Sequence, residues 1–374
     1  MPASDPRIST ALWLALIYGG FIAYASLYPF TGWSLGPVSL TEWLMLPMPR
    51  WRVPFDIWAN FLGYVPLGAL LYTGAVRSGL RAWRAALLAV AVPMALSYVV
   101  EVAQHGLPGR FPSLLDWELN SAGAAAGVVL AFALGLLRLG DGARARWFAQ
   151  DSGGALALLV VWPASLLFPT PLPMGLGPAW ERVREGLLVL LDGVEWAEPL
   201  MQALAEIPPP LQRLPALLEA LGTTLGLLAP VLLAYAVMPP GWRRLVLAVV
   251  LLLAGLGGAT ASAALNFGPA HALAWVGPLV WPAVAVAALG ALVLVGTGRR
   301  LAAALVLVAV LLLMVLVAQA PADPYFASSV QAWEHSRYVR FHGLAQWLGW
   351  LWPVAAAAWC VGRLVRRPLP TMGP

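Results

Sequence analysis

The feature that most constrains this chain is a series of ten apolar stretches, each long enough to cross a bilayer as an α-helix. They lie at Ala11–Phe30, Phe55–Val76, Trp83–Gln104, Ser113–Leu139, Gly154–Thr170, Leu214–Val237, Leu245–Leu265, Ala274–Val295, Leu301–Gln319 and Leu344–Leu364. The chain of 374 residues is 61% hydrophobic and only 10% charged, which is too apolar for a soluble domain of this length. We therefore predict an all-α fold, a polytopic integral membrane helical bundle with about ten transmembrane helices.

The arginines between these stretches predict the orientation in the membrane. All 22 basic residues are arginine, and most lie in alternate short connections, as expected of loops on the cytoplasmic side. We predict that both termini are cytoplasmic, that the first stretch is an uncleaved signal anchor, and that Arg110 faces the outside. Because topology accounts for the arginines, the net charge of +5 does not indicate a nucleic-acid partner. The predicted inner arginines are Arg7, Arg77, Arg81, Arg84, Arg138, Arg144, Arg146, Arg243, Arg244, Arg299, Arg300, Arg363, Arg366 and Arg367.

Three of the apolar stretches contain polar residues, which membrane-buried helices retain for packing or for function. In the second and fourth stretches, a carboxylate, an amide and a glycine share one helix face at positions i, i+4 and i+7. These repeats of the pattern D-x3-N-x2-G are Asp56, Asn60 and Gly63, and then Asp116, Asn120 and Gly123. The third stretch ends with Glu101, Gln104 and His105.

The predicted topology brings these polar residues to one side of the membrane. The second and fourth stretches begin outside and the third ends there, and a short turn with Pro108-Gly109 links the third to the fourth. We therefore predict an outward-facing polar cluster that binds a ligand. Its candidate residues are Asp56, Asn60, Glu101, Gln104, Arg110, Asp116 and Asn120.

Each of these residues also has a structural interpretation. Asp56 and Asp116 would stabilise helix N-termini, and Ser113-x2-Asp116 resembles a capping box with Asp in place of Glu. Glu101 or Asp116 would form an ion pair with Arg110, and the two asparagines would hydrogen-bond neighbouring helices. The glycines predicted to be close-packing contacts are Gly63, Gly68, Gly123 and Gly127.

We predict no cofactor and no metal site. The surplus carboxylates would suit a proton, a divalent cation or a cationic ligand group, but their spacing matches no metal motif. His105 is the only nearby nitrogen ligand, and the single cysteine, Cys360, lies in the last apolar stretch, which disfavours zinc and excludes an intrachain disulfide. The signatures of common soluble enzymes are absent, so the sequence leaves open whether the chain is an enzyme.

Two longer connections are predicted to lie outside the membrane. Pro171–Arg213 mixes charged and apolar residues at near-helical spacing, which predicts amphipathic helices on the outer membrane–water boundary. Ala320–His342 combines aromatic residues with arginines and histidines, which predicts an interfacial helix.

The polar motifs resemble the VanZ-like family of bacterial membrane proteins, which is named for a teicoplanin-resistance protein. The matching parts are Asn60-x2-Gly63-Tyr64-x-Pro66-x-Gly68, Glu101-x2-Gln104 and Arg110-x5-Asp116-x3-Asn120-x2-Gly123. The resemblance covers about residues 10–140, which implies a VanZ-like four-helix membrane module there and leaves 141–374 as a C-terminal membrane region of about six helices. It further implies a multi-pass protein of the bacterial cytoplasmic (inner) membrane, with a role at the cell envelope and an effect on glycopeptide sensitivity.

Three hypotheses of different classes follow. In the first, the polar cluster binds the head of a membrane lipid or a lipid-linked envelope intermediate. In the second, the chain is a membrane enzyme that acts on a lipid phosphate with a metal ion, using Glu101 and Asp116. In the third, the polar residues pack the helices, and the C-terminal region supports a protein complex whose partners the sequence does not identify.

Overall fold

The computed structural model describes residues 9–28, 30–34, 39–49, 54–136, 146–149, 151–168, 170–176, 179–206, 214–320 and 339–365. The α-helices, labelled in chain order, are α1 (Thr10–Leu27), α2 (Leu40–Leu44), α3 (Pro54–Arg77), α4 (Ala82–Gln104), α5 (Leu114–Leu136), α6 (Gly153–Ser165), α7 (Ala179–Leu191), α8 (Glu198–Ala205), α9 (Ala216–Val237), α10 (Trp242–Phe267), α11 (Val280–Val293), α12 (Arg299–Gln319) and α13 (Val339–Val365). Single 3-10 turns occur at Glu195–Ala197, Pro269–His271 and Leu294–Gly296. The described residues contain no strand, and the predicted all-α fold is confirmed.

In the described part of the chain, eight helices are long and apolar enough to cross a membrane, namely α1, α3, α4, α5, α9, α10, α12 and α13. The helices α6 and α11 are apolar but shorter. Together these ten helices overlap the ten predicted apolar stretches, although α6 and α11 cover only part of theirs, and the chain is a multi-pass membrane protein. The cytoplasmic location of both termini remains a prediction.

The chain forms two compact units. Unit 1 comprises residues 1–146 and 150–157, and unit 2 comprises residues 147–149 and 158–374. Helix α6 therefore contributes its first residues to unit 1 and its remainder to unit 2. The assignment of residues 10–140 and 141–374 as functional modules remains a prediction.

Unit 1 is built around a close contact between α3 and α5. Cβ atoms placed on Gly68, Gly123 and Gly127 would collide with backbone atoms of the facing helix, so only glycine permits this approach. These three predicted packing contacts are confirmed. Gly63 is different, because a Cβ there would meet no atom of the described residues within 4 Å, and its carbonyl oxygen accepts a hydrogen bond of 2.9 Å from the Tyr18 hydroxyl. The prediction for Gly63 is therefore wrong.

Unit 2 surrounds the helix α9, which packs against α10, α11 and α12. Every residue from Ala229 to Met238 is buried, as expected of a helix that is apolar on all sides. The ends of α9 and α11 are joined by Arg244, a fully buried side chain of α10. Its guanidinium donates to the carbonyl oxygens of Tyr235 and Met238, and also to those of Val295 and Thr297.

The predicted amphipathic excursion contains the helices α7 and α8, both strongly amphipathic. Val189, Leu190 and Trp196 are all more than three-quarters exposed, as expected of side chains available to a membrane surface. The location of these helices at the outer boundary remains a prediction. The predicted interfacial helix at 320–342 lies almost entirely outside the described residues, which resume where α13 begins.

Candidate functional site

The beginnings of α3 and α5 and the end of α4 bring the predicted polar residues to one end of unit 1. Asp56 lies in the first turn of α3, and Asp116 lies in the first turn of α5. Asp116 interacts electrostatically with Asp56 and with the Asn60 amide. Asp56 is exposed, whereas Asn60 and Asp116 are partly buried. The first turns of α3 and α5 thus bring two carboxylates together, and the Asn60 amide lies one turn further along α3.

Glu101, at the end of α4, accepts a hydrogen bond from the residue that precedes α5. Its Oε2 atom accepts a hydrogen bond of 2.8 Å from the backbone N–H of Ser113, and the Ser113 hydroxyl accepts one of 3.2 Å from the N–H of Asp116. Ser113 therefore caps α5 as predicted, but Glu101 of the preceding helix supplies the reciprocal carboxylate, not Asp116. A buried carboxylate satisfied in this way contributes to helix docking.

Asn120 lies one turn deeper, where it joins α5 to α4. Its Nδ2 atom donates a hydrogen bond of 2.9 Å to the buried hydroxyl of Ser97, which also interacts with Tyr64. This contact confirms the predicted hydrogen bond between neighbouring helices. Among the described residues, the buried Asn120 Oδ1 atom has no hydrogen-bond partner, which leaves one acceptor unused in the polar region of the bundle.

Gln104 and Arg110 tie the same region to the end of α1. The Gln104 amide donates to the carbonyl oxygen of Ser26 at 3.2 Å, and Arg110 donates to those of Ala25 and Tyr28 at 3.1 and 2.8 Å. A cation at a helix C-terminus satisfies carbonyl groups and complements the helix dipole. Arg110 also lies within electrostatic range of Glu101.

A segment before α3, covering residues 30–34 and 39–49, packs against this polar end. The N–H of Ser34 donates to the carbonyl oxygen of Gly106 at 2.9 Å, and the Tyr98 hydroxyl donates to that of Leu44 at 2.7 Å. The Trp43 ring stacks on His105 with a centroid distance of 5.6 Å. Sequence patterns did not single out this segment as part of the site.

A local signal for this segment does exist in the sequence. Ser39 and Glu42 form a capping box at the start of α2, in which the Ser39 hydroxyl accepts from the Glu42 N–H and the Glu42 carboxylate accepts from the Ser39 N–H. The pattern S-x2-E before a short apolar run could have indicated a helix here. Its position over the polar end depends on contacts with α4 and α5 that no local pattern encodes.

The titratable groups do not assemble a metal site in the part of the chain that the structure describes. No group of three or more His, Cys, Asp and Glu side chains is placed to hold an ion there. Asp56, Glu101 and Asp116 lie at the same end of unit 1 but are not arranged as a set of three ligands.

These features define a multi-pass helical membrane protein with a polar site at one end of its first unit. Residues 10–137 match the family model described as VanZ/LLP1, and the predicted resemblance to the VanZ-like family is confirmed for this segment. The matched segment includes α1, α3, α4 and α5 and all seven candidate residues. No curated protein and no solved structure matches the chain.

Proposed function

We propose that the polar end of unit 1 binds the head group of an envelope lipid or of a lipid-linked cell-wall intermediate in the bacterial cytoplasmic membrane. Occupation of this site would alter sensitivity to teicoplanin and related glycopeptides, which bind cell-wall precursors. The VanZ/LLP1 match of residues 10–137 supports a cell-envelope role for this unit.

The observation that carries the proposal is the pairing of Asp56 with Asp116 beside Asn60 at adjacent helix starts. Two carboxylates held close together repel each other, and an added positive charge or hydrogen-bond donor reduces this repulsion. Ionised carboxylates only accept hydrogen bonds. The matching head group therefore offers hydroxyl, amide or ammonium donors, as sugar and peptide portions of cell-wall intermediates do.

The seven candidate residues then divide into two roles. Asp56, Asn60 and Asp116 face the ligand, and Asn120 offers its unused oxygen from below. The other three are positioning residues whose hydrogen bonds fix α1 and α5 relative to α4, namely Glu101, Gln104 and Arg110.

The test uses Asp56→Asn and Asp116→Asn, singly and together, in a strain whose teicoplanin sensitivity depends on the protein. We expect the double variant to insert and fold normally, to lose its co-purifying lipid by mass spectrometry, and to lose its effect on sensitivity. Glu118→Gln is the matched control, since it removes an exposed carboxylate from the same turn of α5. If the double variant retained both lipid and phenotype, the proposal would be wrong.

The proposal also requires that this end of unit 1 face outside. In a Cys360→Ser background, single cysteines at Gly109 and Gly177 should react with an impermeant reagent in intact cells, and one at Gly142 should not. Labelling at Gly142 would show that the orientation is the reverse of the predicted one and that the site does not lie in the outer leaflet.

A further inference from the structure

We propose that unit 2 contains a second binding site, a cavity that takes one amphiphilic molecule with a cationic head group. The cavity has a volume of about 690 Å³, which lies within the usual range of about 300–1,000 Å³ for small-molecule sites. All of its lining residues fall between Leu166 and Gly277, within unit 2. This inference is independent of the function proposed for unit 1.

The cavity is formed where two helices are too short to cross a bilayer. Helix α6 has 13 residues and α11 has 14, so each extends about 20 Å at a rise of 1.5 Å per residue, against about 30 Å of hydrocarbon. The missing length is replaced by non-helical backbone after α6 and before α11. Both of these segments line the cavity, the first through Leu166, Phe168 and residues 170–175, and the second through His271, Ala274, Trp275 and Gly277.

Non-helical backbone in a membrane protein is tolerated where it is buried in protein or lines a cavity, and interrupted helices often mark binding sites. Here the first segment is held by polar contacts. The Thr170 hydroxyl donates to the carbonyl oxygen of Leu172 at 2.7 Å. From α10, Ser262 and Asn266 donate to the carbonyl oxygen of Leu167 at 3.0 and 3.3 Å. The wall is thus fixed by specific hydrogen bonds.

The chemistry of the lining selects the ligand class. Among the described lining residues, Glu219 is the only carboxylate and His271 the only imidazole, and the same lining includes the aromatic rings of Phe168 and Trp275. A carboxylate with aromatic faces favours an ammonium group. Aliphatic side chains such as Leu166, Ala259 and Ala263 form another part of the lining and suit a hydrocarbon chain.

The direct test is photocrosslinking in phosphatidylcholine nanodiscs with the full chain. Three diazirine probes with the same long alkyl chain are compared, ending in a primary amine, an alcohol or a carboxylate. We expect the amine to label peptides from residues 166–175 and 271–277 most strongly, the alcohol less, and the carboxylate least, because only the amine complements Glu219.

Two variants separate the head-group contact from the cavity itself. Glu219→Gln should lower labelling by the amine roughly tenfold and leave the alcohol unchanged, as expected for loss of one partly buried charge contact. Ala263→Phe should reduce labelling by all three probes because it fills the cavity. Glu198→Gln, on the exposed helix α8, is the matched control and should change nothing.

Melting temperatures of the detergent-purified variants show whether each is folded. A folded Glu219→Gln or Ala263→Phe protein with normal labelling would contradict the role assigned to that residue. Should Ala263→Phe fail to fold, Ser262→Val tests the cavity wall with little added volume. Equal labelling of the cavity peptides by all three probes, or labelling confined to outward-facing helix surfaces, would overturn the proposal.

Discussion

The two units differ in where their polar groups lie and in what their glycines contact. In unit 1, α3 and α5 are in close contact, with glycines of each helix against the backbone of the other, and polar side chains gather at one end. In unit 2, Gly255 faces the ring of Trp162, and Gly226 faces the backbone of Met174 in the non-helical segment. Glycine permits close approach in both units, but the group that approaches is a helix in one and a ring or a loop in the other.

This difference decides where each unit leaves space. Helix backbones that pack on glycines leave little room between them. The groups of unit 1 that are available to a ligand therefore lie at its polar end, namely carboxylates and one amide oxygen. In unit 2 the two short helices leave a cavity whose described lining contains one carboxylate, that of Glu219. The contrast predicts which substitutions each unit tolerates.

The largest effect is expected from Arg244→Met in unit 2. The substitution leaves four carbonyl oxygens without their buried donor, and we expect the free energy of unfolding to fall by about 3–5 kcal/mol. Arg243→Met is the control, since Arg243 stacks on the Trp242 ring at 5.8 Å and should cost about 1 kcal/mol or less. Thermal unfolding of the purified proteins measures both changes. Equal effects at the two positions would show that Arg244 does not join the helix ends.

The next effect concerns the close helix contact of unit 1. Gly68→Ala places a methyl group against the carbonyl group of Ala124 and should lower the free energy of unfolding by about 3 kcal/mol. Gly63→Ala lies on the same helix in open space and should be neutral or stabilising by up to about 1 kcal/mol, through the higher helix propensity of alanine. Comparing the two melting temperatures isolates the contact, and a stable Gly68→Ala protein would contradict it.

The smallest expected changes in the free energy of unfolding distinguish the positioning residues from the ligand-facing residues at the polar end. Glu101→Ala removes the acceptor for the Ser113 N–H and should cost about 1–3 kcal/mol in the free energy of unfolding. Asp56→Ala, at an exposed position, should stay within about 0.5 kcal/mol while affecting the proposed ligand binding. If Asp56→Ala destabilised the protein as much as Glu101→Ala, the proposed division of roles would be wrong.

Much of the architecture follows from the sequence because it depends on local properties. The length and apolarity of each stretch predict a helix, and the bounds of α4, Ala82–Gln104, differ by one residue from the predicted Trp83–Gln104. The polar residues at the ends of the stretches predict the polar end of unit 1, because helix direction alternates from span to span. The linked VanZ-like motifs predict the family match in the same way, since each is a short local pattern.

The partners of these polar residues depend instead on which helices pack together. Glu101 accepts from Ser113, and Arg110 caps α1, whereas the sequence favours an ion pair between them equally well. The position of Arg244 in a short connection is typical of an arginine that sets membrane topology, yet its side chain is buried and joins two helix ends. The cavity of unit 2 has no sequence signature, since it arises from the arrangement of segments far apart in the chain. Apolar length and helix direction are fixed locally by the sequence, but a polar side chain bonds whatever backbone group the tertiary structure leaves unsatisfied beside it.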